Sequence, residues 1–168
     1  MRQKLSYDVF ETDLGWVAVV IGDRGVVRMC LPCASPDDAV ESVRPQIDHA
    51  SPDPEVAAAV RKAVTDYCAG VNDRLSDIPV DMSGVSPFFA KAWVACRTIP
   101  HGETRSYGWL AEQSGNARAA RGAGQAMARN RVALLIPCHR VVASNGALHG
   151  FGGAGLPLKR RLLDMELS

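Results

Sequence analysis

The chain changes texture at Ser86-Pro87, and that break constrains its fold more than any other feature of the sequence. Before the break, Val9, Trp16, Val17, Val19, Val20, Val26 and Val27 are strand formers within the stretch from Leu5 to Leu31. Asp13-Leu14-Gly15 and Asp23-Arg24-Gly25 interrupt them as turn signals, which predicts two hairpins of antiparallel sheet. Residues 34–53, with Pro36, Pro45 and Pro52, predict a short helix among loops. Residues 55–69 read as helical because Val56, Val60, Ala63 and Tyr67 recur on one face before Gly70. After the break, Ser86 suits an N-cap, Pro87 suits a first helical position, and Phe89, Trp93 and Ile99 mark a buried stripe. A short helix is expected over 106–114, closing at Gly115, and a second over 117–129; two helices across such a turn predict a helix-turn-helix. Residues 132–136 predict an apolar strand or extended run, and residues 157–166 a last helix. The expected fold class is α+β: a small N-terminal mixed α/β domain with an antiparallel sheet over 1–85, and a mostly helical C-terminal domain over 86–168.

Charge divides the chain at almost the same place. Residues 1–87 hold 8 Lys and Arg against 14 Asp and Glu, a net of −6, whereas residues 88–168 hold 11 against 4, a net of +7. The second half can face a polyanion and the first cannot easily do so. Within the basic half, Ala117, Ala119, Ala120, Gly122, Ala123, Gly124 and Ala126 give one helix a nearly smooth surface, studded by Arg118, Arg121 and Arg129. Such a surface serves tight packing against another helix or close approach to a nucleic acid, and the surrounding positive charge favours DNA.

Composition removes several other classes. No apolar run approaches the ~20 residues of a membrane span, and Met1-Arg2-Gln3-Lys4 leads into a strand pattern, so a cytoplasmic protein with no membrane partner is expected. The five cysteines, Cys30, Cys33, Cys68, Cys96 and Cys138, are odd in number and sparsely spaced, so reduced thiols are expected. Cys30 and Cys33 form one CxxC, but no second CxxC or His pair completes a four-ligand zinc site. They read as strand-end residues, and no metal is expected.

Cys138 lies just past an apolar run, after Pro137 and before His139 and Arg140. A free cysteine is often an inert core residue. A potential imidazole base and a guanidinium beside it are, however, groups of the kind that lower a thiol pKa and favour the nucleophilic thiolate. Successive side chains in an extended segment point to opposite sides, so a Cys138–His139 contact needs a turn or a bridging water.

The segment Ile136-Pro137-Cys138-His139-Arg140-Val141-Val142 resembles the active-site signature of the O6-alkylguanine-DNA alkyltransferase family. The resemblance runs from Phe89 through Ile99-Pro100-His101-Gly102-Glu103-Thr104, Ser106-Tyr107, Gly115-Asn116, Ala119-Ala120-Arg121 and Asn130. It resumes with Gly146, Gly150-Phe151-Gly152-Gly153, Lys159, Leu162-Leu163 and Glu166. The acidic half carries no motif of its own. The resemblance implies DNA repair by direct reversal: stoichiometric, irreversible transfer of an alkyl group from O6-alkylguanine in double-stranded DNA to Cys138, with O4-alkylthymine as a further substrate to consider. It implies that His139 is the base through a water, that Glu166 orients the imidazole, that Asn130 braces the turn and that Tyr107 meets the flipped guanine. Arg121 would enter the base stack, with Arg118, Ala119, Ala120 and Arg129 on the same DNA surface. Val141 and the loop Gly150-Phe151-Gly152 would hold the base. A monomer that needs no cofactor is expected.

Three positions depart from the family pattern: Arg131 follows Asn130 where Pro is usual, Gly122 replaces Val, and Phe151 replaces a frequent Tyr. Arg131 is expected to add charge near DNA. Gly122 inside a helix costs on the order of 1 kcal/mol relative to Ala, so a packing or approach reason is expected. The rival readings are a non-transferring alkylated-DNA binding protein, whose members lack the acceptor cysteine, a helix-turn-helix regulator, and a Cys-His hydrolase. A regulator normally reads half-sites as a dimer, and a hydrolase turns over repeatedly.

Overall fold

In a computed structural model, which describes residues 3–148 and 155–168, the chain forms two compact units. The first joins the residues up to Asp81 with Arg131–Leu135; the second joins Met82–Asn130 with Ile136–Ser168. Among the described residues no helix is long and apolar enough to cross a membrane.

The first unit is built on strands β1 (Leu5–Thr12), β2 (Gly15–Gly22), β3 (Gly25–Met29) and β4 (Ala50–Pro52), in the order β3-β2-β1-β4. Both Asp-x-Gly turns fall where expected, and β1–β2 and β2–β3 pair antiparallel. The short β4 joins β1 in parallel, so the sheet is mixed at that edge. Val17, Ala18, Val19 and Val20 are all fully buried, which means that β2 is covered on both faces and shows no apolar–polar alternation. Helix α1 (Pro36–Ser42) covers the Ala18 and Val20 face together with Val43 and Ile47. Helix α2 (Ala58–Cys68) packs against β1, and its Arg61 meets Asp8 at 3.3 Å. Since Asp8 is the cross-strand partner of Val19, α2 lies on the other face.

Helix α2 starts later than the apolar periodicity predicts. Asp53 draws the N–H of Val56 to its carboxylate and that of Ala57 to its carbonyl, so residues 54–57 form turns ahead of the helix. Residues 132–136 also correct their expectation. Met29 donates to Arg131 O and accepts from Ala133 N, giving one isolated bridge at Val132 and no strand. Leu134 then adopts φ of 68° and Leu135 N bonds back to Ala133 O, which turns the chain sharply.

The second unit holds α3 (Pro87–Cys96), β5 (Arg105–Ser106), α4 (Tyr107–Gln113), α5 (Ala120–Ala128), a 3-10 turn (Cys138–Arg140), β6 (Val141–Val142) and α6 (Gly155–Glu166). Ser86 Oγ accepts from Phe89 N at 3.3 Å, and Ser106 Oγ from Trp109 N at 3.0 Å, so each serine caps its helix. Helix α5 starts at Ala120 and not at 117, because Asn116 takes the N–H of Arg118 on its side chain and that of Ala119 on its carbonyl. Helices α3, α4 and α5 pack mutually, with Trp93 Nε1 donating to Ala126 O at 2.9 Å.

Candidate active site

The turn that presents Cys138 is held from within the second unit. Cys138 N bonds to Ile136 O at 2.7 Å, and Arg140 N bonds to Pro137 O at 2.9 Å. Asn130 Nδ2 donates to Ile136 O at 2.8 Å, and the Asn130 side chain also hydrogen-bonds the Cys138 sulfur. Downstream, β6 pairs in parallel with β5, Arg105 opposite Val141 and Ser106 opposite Val142. Ser106 ends β5 and caps α4, so the same residues that anchor β6 fix the first helical residue, Tyr107. Cys138 is partly exposed, whereas His139 is 1 % exposed. Cys138 and His139 thus lie on a 3-10 turn and not on an extended segment.

His139 Nε2 lies 2.6 Å from Glu166 Oε2, and Glu166 is itself buried. Glu166 is thus not a solvated helix-end charge. Its carboxylate also receives Arg140 Nε on Oε1 at 2.8 Å, Arg140 Nη2 on Oε2 at 3.0 Å and Gly102 N on Oε1 at 3.4 Å. Burial lowers the pKa of His139 below its ordinary value, and the attraction of Glu166 only partly opposes this. The ring is therefore neutral at neutral pH.

For the thiol, the expected direction is overturned. Burial raises the Cys138 pKa, and the Asn130 hydrogen bond, the Lys159 ammonium and the backbone N–H groups of Cys138 and His139 offset only part of that rise. Arg140 is not the cation that acts on the sulfur, because its guanidinium is turned to Glu166 and to Ile99 O at 2.9 Å. That part falls to Lys159, a buried ammonium that donates to Val141 O at 2.8 Å and sits 6.0 Å from the Tyr107 ring centre. The sequence reading gave Lys159 no role. A signal was present: Lys159, Leu162 and Glu166 fall at i, i+3 and i+7 of one helix and are its buried residues. Two charges within an apolar stripe mark a helix that serves a polar interior.

Tyr107 is half-buried, and its ring lies against Gly124, where an added Cβ would meet Cδ1 at 3.9 Å. Burial, then the neighbouring Cys138 and Cys96, raise its hydroxyl pKa, so the phenol stays protonated and able to donate. Arg118, Ala120, Arg121 and Arg129 are exposed, Ala119 is half-buried, and Val141 is fully buried. Gly150, Phe151 and Gly152 lie outside the described residues. Arg131, expected near DNA, is half-buried in the first unit, where Nη2 donates to Asp81 O at 3.0 Å. In that unit Cys30 Sγ accepts from Ala18 N at 3.3 Å, and burial pushes the Cys30 thiol up to about 12. Cys33 Sγ donates to Leu31 O at 3.2 Å.

Residues 87–168 match the family described as "6-O-methylguanine DNA methyltransferase, DNA binding domain". The chain is similar to the methylated-DNA–protein-cysteine methyltransferase of Mycobacterium tuberculosis, 40% identical over 128 residues that span 76% of each chain. It is also similar to the constitutive methylated-DNA–protein-cysteine methyltransferase of Bacillus subtilis, 33% identical over 95% of this chain and 94% of that one. Among solved structures, it resembles the Mycobacterium tuberculosis protein in complex with DNA, with TM-score 0.79 and 32% identity over 96% of this chain and 92% of that one. With this likeness along nearly its whole length, and with a cysteine, a histidine and a buried glutamate gathered at one turn, the chain belongs to the methylated-DNA–protein-cysteine methyltransferase family.

Proposed function

We propose that this protein removes the alkyl group of O6-alkylguanine in double-stranded DNA by transferring it irreversibly to Cys138. The observation that carries the reading is the partly exposed Cys138 on a turn whose next residue is bonded at 2.6 Å to a buried carboxylate. A carbon on O6 lies inside the duplex, so the nucleotide must be swung out before sulfur can attack. The exposed Arg121 on the small-residue helix fills the vacancy, and Arg118, Ala119, Ala120 and Arg129 carry the backbone contacts. Val141 and the 150–152 loop hold the extruded base.

In the transfer, His139 takes the thiol proton through a water, oriented by Glu166 at its other ring nitrogen. The sulfur–carbon bond forms as the O6–carbon bond breaks, and the electron pair stays on the guanine. Tyr107 donates a hydrogen bond to the departing base, and the proton held by His139 returns to it. Asn130 braces the turn and stabilises the sulfur as it gains charge. A thioether has no leaving path in water, so each molecule reacts once.

The test is to incubate the protein with a duplex containing O6-methylguanine and weigh it intact. A gain of one methyl group on Cys138, at one per molecule, is expected, and Cys138→Ala should bind DNA without gaining mass. Arg121→Ala should transfer slowly from duplex yet react with free O6-benzylguanine almost as wild type does. Sustained turnover would identify a hydrolase instead. Tight preference for one undamaged sequence, with no mass gain, would identify a regulator.

A further inference from the structure

The carboxylate that orients His139 is shared with a second residue. Arg140 holds both of its oxygens, Nε on Oε1 at 2.8 Å and Nη2 on Oε2 at 3.0 Å, and a third bond from Nη1 to Ile99 O at 2.9 Å fixes the fork. Arg140 is 6% exposed, Glu166 5% and His139 1%, so solvent screens none of these charges well. A lone buried carboxylate here, bonded at 2.6 Å to the ring of the residue that follows Cys138, would carry its full negative charge into a site where a sulfur must itself become negative. With the fork in place the guanidinium and the carboxylate cancel, and among the described residues a further buried charge that acts on the sulfur is the Lys159 ammonium, whose sign suits a thiolate. Arg140 also depresses the basicity of His139, against the pull of Glu166.

We propose that Arg140 is a positioning residue for alkyl transfer. Its guanidinium cancels the charge of Glu166 and locks the carboxylate plane, so that Glu166 orients His139 without opposing formation of the Cys138 thiolate. The inference rests on the alkyl-transfer reading and deepens it. Arg140 acts through Glu166 and needs no contact with the substrate. A purely structural alternative exists, in which Arg140 only ties the 99–102 segment to α6, and the experiment separates the two.

Single-turnover benzyl transfer from free O6-benzylguanine reads the chemistry without DNA binding or base flipping. Arg140→Gln leaves Glu166 uncompensated and should slow transfer on the order of ten-fold or more. Arg140→Lys keeps the charge but loses the fork, so its rate should fall between wild type and Arg140→Gln. The double variant Arg140→Gln with Glu166→Gln removes both charges and should transfer no more slowly than Arg140→Gln alone. A double variant slowed by the product of the two single losses would overturn the inference, as would Arg140→Lys no faster than Arg140→Gln. If Arg140→Gln does not fold, judged by its thermal melt, Arg140→Lys and the charge-free pair decide: a folded Arg140→Lys at wild-type rate with an inactive charge-free pair overturns it. Wild-type protein that gains no benzyl group would overturn the alkyl-transfer reading as well, whereas wild-type transfer with an equally fast Arg140→Gln overturns this inference alone.

Discussion

The imidazole of His139 combines near-complete burial with a hydrogen bond to a carboxylate, two influences that pull its protonation in opposite directions. Burial wins, and the folded pKa lies below the ordinary 6.5. The consequence for stability has a definite sign. Above 6.5 the ring is neutral in both the folded and unfolded chain, and its titration contributes nothing. As the pH falls through 6.5, the unfolded chain takes up a proton that the native ring refuses, so stability falls until the native ring titrates too. Urea unfolding of wild type and His139→Gln at pH 7.5 and 5.5 should therefore show the wild type losing ground to the variant on acidification, by at most about 1.4 kcal/mol per pH unit. If the wild type instead gains ground, His139 is charged in the fold. Cys138 and His139 could both be singled out in the sequence, since thiol and imidazole stand side by side in a specific signature. The direction of the thiol's shift could not, because it depends on burial and on Lys159, 21 positions away in the chain (159 − 138).

Helix α5 shows what an element's sequence leaves undecided. A glycine at 122 costs the helix stability, and no periodicity in the sequence says why it is there. In the folded protein a Cβ at this position would stand 3.4 Å from Phe88 Cε1 and 3.8 Å from Ala119 Cβ, so the ring of Phe88 lies over it. A β-branched valine would run into that ring, whereas a single methyl reaches ordinary contact. Gly122→Ala should accordingly stabilise the protein by about 0.5–1 kcal/mol and raise the melting temperature by roughly 1–4 °C, since helix propensity is gained and little is displaced. A lower melting temperature in calorimetry would show that Phe88 cannot give way. The first residues of α2 and α5 were less legible than the helices themselves, for a local reason: Asp53 and Asn116 divert the N–H groups that the next residues would otherwise direct into a helix.

At the scale of the molecule, charge is segregated more strongly than the net +1 suggests. The structure moves Arg131 into the first unit, leaving that unit with 9 basic and 14 acidic side chains, a net of −5, and the second with 10 and 4, a net of +6. Binding to duplex DNA by the second unit should therefore depend on salt and little on sequence. If Arg118 and Arg129 each neutralise one phosphate, their share of the slope of log affinity against log salt is about −1.8, and each Arg→Ala change should flatten it by about 0.9. Fluorescence anisotropy between 50 and 200 mM salt measures this directly. A slope untouched by both substitutions would remove the two ends of α5 from the interface.

Sequence alone determined most of the elements and singled out Cys138. Both depend on short-range facts: turn residues between strand formers, serines ahead of helices, and Cys138 set in a motif whose neighbours bear on its chemistry. Tertiary structure decided which charges face one another. It turned Arg140 away from the sulfur and onto Glu166, brought Lys159 to Val141 O, and routed residues 131–135 into the first unit by two backbone hydrogen bonds to Met29. These outcomes compare the cost of burying a charge with the partners available to it, and those partners lie 18 to over 100 positions away in the chain (159 − 141 at the near end, 131 − 29 at the far end). Spacing within a motif carries no record of that balance.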